Sequence, residues 1–96
     1  MNQYELAVVL SSAISDEERA EAMEKVQGFV TRAGGTITNV DDWGRKKLAY
    51  EIQKMSEGFY TFIRFEAEPS VPAQVEENLR LMEQVIRFLC ISRDEQ

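Results

Sequence analysis

Large apolar residues recur at every second position from Tyr4 to Leu10. Tyr4, Leu6, Val8 and Leu10 fall on one side of this alternation. A period of two residues is typical of a strand with one buried face. We therefore predict a first strand from Tyr4 to Leu10.

The period then changes to that of a helix. Ser15 followed three residues later by Glu18 is a capping-box pattern, in which each side chain satisfies a backbone N–H of the other residue. Apolar residues recur at helical spacing after it: Ala22, Val26, Phe29, Val30 and Ala33. Gly34-Gly35 supplies a left-handed stop. The pattern predicts a helix of about five turns.

Two further strands follow in the pattern. Thr36–Val40 is rich in β-branched residues and predicts a second strand. Asp41–Gly44 interrupts it, and we expect a bulge or a bend there. The alternation then resumes with Leu48, Tyr50 and Ile52. A turn is expected over Lys54–Gly58, and the aromatic run Phe59–Ala67 predicts a third strand, so the two strands form a long hairpin.

The last third of the chain predicts a helix and a strand. Pro72 suits a first helical turn, where its missing N–H is harmless. The apolar stripe of this helix is Val71, Val75, Leu79 and Met82, and the last strand, Val85–Ile91, places Ile86, Phe88 and Cys90 on one face. Arg93–Gln96 is expected to be a loose tail.

The predicted order is therefore strand, helix, strand, strand, helix, strand. Right-handed crossovers make this an α+β, ferredoxin-like βαββαβ fold: a four-stranded antiparallel sheet with two helices on one face. A length of 96 residues suits a single domain, which we assign to residues 1–96.

Composition excludes most catalytic and metal-binding chemistry. The chain has no histidine and one cysteine, so it has no imidazole base and cannot build a nitrogen–sulfur zinc site alone. We expect no enzyme activity, no cofactor, no metal and no small-molecule substrate. No apolar run approaches the roughly 20 residues that span a bilayer, and the first residues lack a secretory signal. We expect a cytoplasmic protein with no membrane partner.

The charge distribution is uneven. The net charge is −6, which opposes general nucleic-acid binding because such binding depends on phosphate neutralisation. The segment from Trp43 to Phe65 nevertheless has five basic and two acidic residues, a local +3, which leaves −9 on the rest. A basic patch on an acidic body fits a specific, partner-assisted RNA contact.

The centre of that segment is the run Arg45-Lys46-Lys47. Three adjacent cations on a strand cannot all be buried, because unpaired buried charge is too unfavourable. One interpretation is a sheet edge protected from aggregation by its lysines. The other is contact with RNA phosphates.

The segment Trp43-Gly44-Arg45-Lys46-Lys47-Leu48-Ala49-Tyr50, followed by Ile52-Gln53-Lys54 and Gly58-Phe59-Tyr60, resembles the signature hairpin of the bacterial small-subunit ribosomal protein S-six family. Further similarities lie in Tyr4-Glu5, Gly34-Gly35, Leu79-Arg80 and Val85-Ile86-Arg87. The resemblance covers essentially the whole chain in register. Many family members carry a longer polar tail, so contacts made by such a tail are not implied here.

The resemblance implies a structural constituent of the small ribosomal subunit. Such a protein binds the central domain of small-subunit ribosomal RNA as a heterodimer with ribosomal protein eighteen. The positions that match the family's RNA-binding residues are Arg45, Lys46, Lys47, Arg87, Arg80 and Tyr4. Candidate partner-binding residues are Asp41, Asp42, Trp43 and Arg64.

Three alternatives compete with this hypothesis. A ferredoxin-like regulatory or interaction module that does not bind RNA would dimerise through its sheet. An RNA-recognition motif would stack bases on aromatic residues of the third strand, but Glu57 precedes Gly58 where that motif has a basic residue. An enzyme built from acidic residues would need a metal.

Cys90 alternates with Phe88, which indicates a buried small hydrophobic residue rather than a reactive thiol.

Overall fold

The computed structural model describes residues 1–52 and 55–93, without the side chains of residues 49–52 and 55. The elements follow the predicted order and are β1 (Asn2–Ser11), α1 (Asp16–Arg32), β2 (Thr36–Ile52), β3 (Met55–Ala67), α2 (Val71–Leu79) and β4 (Val85–Ser92). The strands form one antiparallel sheet in the order β2-β3-β1-β4. The ferredoxin-like fold is confirmed.

The first helix begins and ends as its sequence predicts. The Ser15 hydroxyl accepts from the Glu18 N–H at 3.2 Å, and the Glu18 carboxylate accepts from the Ser15 N–H at 3.1 Å. This reciprocal cap satisfies two N–H groups that the helix itself leaves unpaired. At the other end, Gly34 has a φ of 101°, a conformation that favours glycine. The chain can therefore reverse directly into β2.

The core lies between the helices and one face of the sheet. Its fully buried large side chains are Leu6, Val8, Leu10, Val26, Val30, Ile63, Phe65, Val75 and Leu79. The predicted alternation of β1 is confirmed, because Tyr4, Leu6, Val8 and Leu10 all belong to this cluster. Burying each such aliphatic or aromatic side chain contributes about 1.5–3 kcal/mol before entropy is counted. The opposite face of the sheet, which we call the open face, is not covered by a helix within residues 1–52 and 55–93.

Four details differ from the sequence prediction. Met55–Gly58 belongs to β3 rather than to a turn, because β2 supplies partners such as Lys47 for Glu57. Met82 lies beyond the end of α2 but is still buried at 9% exposure. The side chains of Tyr50 and Ile52, the whole of Lys54 and the tail residues Asp94–Gln96 lie outside the described residues.

The third detail concerns β4. A register shift opposite Val9 and Leu10 brings Val85, instead of Ile86, onto the core face with Phe88 and Cys90. The fourth concerns Arg93, which was expected to begin a loose tail. Its backbone N–H donates to the Gln3 carbonyl at 2.7 Å, so it continues the attachment of β4 to β1.

Neither helix in the described part of the chain has the length and apolar character needed to cross a membrane.

Candidate functional site

The hairpin of β2 and β3 is longer than the rest of the sheet. The last row shared by three strands joins Lys46, Gly58 and Ser11. Beyond it, β2 and β3 continue alone as a two-stranded arm, Lys47–Ile52 with Met55–Glu57. Arg45 and Lys46 therefore lie at the base of the arm and Lys47 at its first position, so the basic run begins where the sheet narrows.

The three cations of this run lie on two sides of the hairpin. Arg45 pairs with Phe59, which is a core residue, so Arg45 lies on the helix side. Lys46 pairs with Gly58, whose missing Cβ would lie 2.6 Å from Val9 Cγ1 on the open face. All three residues are exposed. The hairpin can thus present positive charge from both sides.

The polypeptide brings two more predicted cations to the same end of the molecule. Arg80 follows α2, and the chain then reaches Gln84, whose carbonyl accepts from Ser11 N–H at 2.8 Å. Arg87 pairs with Val9 near the start of β4. Lys46 and Arg87 are separated by three strand spacings across the sheet, about 14 Å, and by two residues along the strands. We call this end, with Arg45, Lys46, Lys47, Arg80 and Arg87, the basic end.

At the basic end, a carboxylate and an aromatic ring hold the guanidinium group of Arg45. Arg45 forms an ion pair with Glu57, with 3.6 Å between Nη1 and Oε1, and 56% of its side chain is exposed. Its guanidinium carbon also lies 5.2 Å from the centre of the Phe59 ring. Exposed pairs of this kind are weak, about 0–1 kcal/mol. The guanidinium of Arg45 is therefore oriented but still accessible.

Tyr4 and Arg64 do not join the basic end. Tyr4 is 8% exposed, its ring packs 5.5 Å from that of Phe65, and its hydroxyl accepts from the Asn2 side chain at 3.2 Å. The ring is therefore a core side chain, which leaves it little surface for RNA. Arg64 forms an ion pair with Glu5 at 3.6 Å on the neighbouring strand.

The interruption at Asp41–Gly44 is a bulge in β2, as predicted, and it fixes Trp43. The pairing of β2 with β3 shifts between Asp42 and Gly44, so Trp43 is the extra residue. The Asp42 carboxylate accepts from Gly44 N–H at 2.9 Å, and Gly44 has a φ of 74°. The Trp43 indole N–H donates to Asp41 at 2.9 Å. The two aspartates thus brace the bulge, a role that their position beside a glycine could have suggested.

This bulge places a large aromatic ring on the open face. The Trp43 ring lies 4.7 Å from that of Phe62, at 60°, and the residue is 53% exposed. Further apolar side chains of this face line a shallow groove: Ala7, Val9, Tyr60, Phe62 and Leu89. Leu89 is 56% and Ile91 45% exposed. An exposed apolar surface of this kind is typical of interaction sites on folded proteins.

The sequence pattern did not indicate one cation that lies beside the hairpin. Arg19, in the first turns of α1, has its guanidinium carbon 4.3 Å from the centre of the Phe59 ring. It therefore lies on the same ring as Arg45. The sequence offered a weak signal only, since an arginine after a capping box normally points to solvent.

Comparison with known proteins identifies the family. A family model described as Ribosomal protein S6 matches residues 3–92. The chain belongs to this family. It is 50% identical to the small ribosomal subunit protein bS6 of Phocaeicola vulgatus, over 98% of this chain and 82% of that protein. It is 44% identical to bS6 of Alkaliphilus oremlandii, over 95% and 96% of the two chains.

A solved structure supports the same assignment. The crystal structure of 30S ribosomal protein S6 from Thermotoga maritima matches with a TM-score of 0.92 and 31% identity, over 96% of this chain and 87% of that one. Membership of the S6 family makes the chain a structural, non-enzymatic protein of the small ribosomal subunit, associated with ribosomes in the bacterial cytoplasm.

Proposed function

We propose that this protein binds the central domain of small-subunit ribosomal RNA through its basic end, together with ribosomal protein eighteen as its heterodimer partner. The observation that carries the proposal is the convergence of five cations from three separate parts of the fold. They come from the hairpin, from the end of α2 and from β4. Contacts from separate elements fix an orientation on RNA as well as supply affinity.

The acidic body is consistent with this arrangement. Because the net charge is −6, RNA is repelled from most of the surface, and the basic end is where cations of several elements lie together to neutralise phosphates. Few phosphate contacts give limited affinity. A partner that binds the same RNA would add its own contacts without requiring more positive charge on this chain.

The open face supports a protein partner. Trp43, Phe62 and Leu89 give it the aromatic and aliphatic character of an interface core. Asp41 and Asp42, exposed beside it, keep acceptor capacity beyond the bonds they make in the bulge. Basic side chains of ribosomal protein eighteen would pair with them. Arg87 lies on the same face, so the partner and the RNA would meet near it.

The first experiment is reconstitution. A central-domain RNA fragment is titrated with this protein, with ribosomal protein eighteen, and with the two together, at several salt concentrations. We expect tight binding by the pair and much weaker binding by either protein alone. Equal binding by this chain alone would contradict the cooperative mechanism.

A matched pair of double variants locates the phosphate contacts. Lys46→Ala with Lys47→Ala removes two cations from the hairpin, whereas Lys25→Ala with Arg32→Ala removes two exposed cations from α1. Each phosphate contact adds roughly 0.7–0.9 to the slope of log K against log salt. The first variant should lower that slope by about 1.5, and the second should leave it unchanged. Equal effects would move the contacts away from the hairpin.

A further inference from the structure

The Phe59 ring holds two guanidinium groups. Arg19 of α1 lies 4.3 Å and Arg45 of β2 5.2 Å from the ring centre, each measured from the guanidinium carbon. The sum of these two distances places the guanidinium carbons no more than about 10 Å apart, and each cation is attracted to the same π system. Phe59 itself is 6% exposed and packed in the core. The ring is a rigid support for two cations that come from different elements.

Two positive charges within about 10 Å of each other repel one another, and each of them is paired with a carboxylate. Arg19 pairs with Asp16 at 3.4 Å, where the Asp16 side chain is 93% exposed. Arg45 pairs with Glu57 at 3.6 Å, where the Glu57 side chain is 40% exposed. Solvated ion pairs of this geometry are weak and salt-sensitive. Both guanidiniums are therefore available to a stronger anion.

The chemistry of that anion follows from the two donors. Guanidinium groups are planar forks that bind phosphate oxygens through two parallel N–H donors, and stacking on a ring leaves the fork edges available. Holding both side chains on Phe59 before binding reduces the conformational entropy lost on binding. The surroundings of the ring belong to the basic end, where Lys46 and Lys47 follow Arg45.

We infer that Arg19 and Arg45, held on Phe59, form a two-guanidinium site for one phosphate group of the RNA backbone. This inference rests on the proposed function, and it adds Arg19 of α1 to the RNA-binding surface. Because both arginines bind the same phosphate, losing one should remove most of the contribution of the other.

The test measures RNA binding by the complete protein with ribosomal protein eighteen, using the central-domain fragment over a range of salt. Arg19→Ala and Arg45→Ala should each weaken binding about five- to tenfold and lower the salt slope by roughly one contact. The double variant should lose little beyond the weaker-binding single variant. Arg32→Ala is the matched control, since Arg32 lies on the same helix with its guanidinium 5.8 Å from the Phe29 ring. It should bind as the wild type does.

A second variant separates geometry from charge. Arg19→Lys keeps the positive charge but loses the planar fork, so we expect the salt slope to be retained while affinity falls about threefold. Wild-type affinity in Arg19→Lys would overturn the two-guanidinium geometry, as would additive losses in the double alanine variant. Wild-type binding by Arg19→Ala would exclude Arg19 from the surface.

Failure of the inference can be told apart from failure of the proposed function. If the wild-type pair does not bind the fragment at all, the proposed function is wrong. If it binds and Arg19→Ala behaves as Arg32→Ala does, only the phosphate site is wrong. Urea unfolding of each variant verifies that the fold is retained. Where a variant has the wild-type urea midpoint, its loss of affinity is due to the phosphate site and not to unfolding.

Discussion

Cys90 shows how a strand position controls the chemistry of one side chain. It packs against the core beside Phe88, and burial, with the nearby negative charge of Glu76, raises the pKa of its thiol from 9.0 to about 11. Only a small fraction is then thiolate near neutral pH, and the thiolate is the nucleophile. Alkylation by iodoacetamide should therefore follow an apparent pKa near 11 in the folded protein and near 9 in urea. Equal profiles in the two conditions would contradict this.

The same shift has a consequence for stability. Because the pKa is higher in the folded state, folding favours the protonated thiol, and this contribution is complete below pH 9. It is lost as the pH rises from about 9 to about 11. Cys90→Ser should reduce the alkaline loss of stability over that interval relative to the wild type, measured as urea midpoints. An unchanged pH dependence would show that other groups cause the loss.

Gly58 is needed where three strands meet. A Cβ at this position would lie 2.6 Å from Val9 Cγ1 and 3.1 Å from the Leu10 carbonyl oxygen, which is backbone and cannot move aside. Gly58→Ala should destabilise the protein by about 1–3 kcal/mol. Gly28→Ala is the control: its closest atom is the flexible tip of Arg32 at 3.1 Å, and alanine favours helix by about 0.5–1 kcal/mol. Equal urea midpoints for the two variants would contradict the steric argument.

At the scale of elements, the order of strands and helices was predictable from the sequence. Each strand or helix buries one row of apolar side chains, and the spacing of that row along the sequence identifies the element. In β2 and β4 the side on which each residue lies was not predictable, since a shift of one residue exchanges the two faces of a strand. Pairing of β2 with β3 shifts at several points, including between Asp42 and Gly44. The three cations at Arg45–Lys47 could be found from the sequence, but their distribution over two sides could not. The shift in β4 that moves Ile86 off the core face was hidden for the same reason.

The stack on Phe59 also could not be predicted. It joins α1 and β2, elements whose contact depends on how the first helix packs on the sheet, and no local spacing relates Arg19 to Arg45. The sequence indicated the buried position of Tyr4 only in part: its alternation with Leu6 fits a core residue, which it is. Local patterns thus specify elements, whereas sites assembled across elements need coordinates.

The bulge in β2 leads to a prediction about the partner. Trp43 is held on the open face by Phe62 and by its bond to Asp41, but half of its surface stays exposed. Under the proposed function, Trp43→Ala should weaken binding of ribosomal protein eighteen at least tenfold, because exposed aromatic side chains dominate interfaces. Leu81→Ala, at an 82% exposed residue after α2, should have no effect. Calorimetric titration without RNA compares them, and equal losses would exclude the open face.

At the scale of the whole molecule, the acidic body should act as a filter against unrelated RNA. In the proposed specific complex, RNA meets the basic end, and exposed carboxylates that lie more than a Debye length of about 10 Å from it are largely screened. Unrelated RNA can approach from any direction, so it meets the negative surface. Glu24, midway along α1, and Glu68, between β3 and α2, are exposed carboxylates that do not belong to the basic end.

Replacing Glu24 and Glu68 with glutamine removes two of the 17 acidic side chains without changing their shape. At low salt, affinity for an unrelated RNA should rise about two- to fivefold, while affinity for the central-domain fragment in the presence of ribosomal protein eighteen should change less. The ratio of the two affinities should therefore fall, and it should recover at high salt, where long-range repulsion is screened. An equal rise for both RNAs would mean that these carboxylates also face the bound RNA, and the proposed orientation of the basic end would then be wrong.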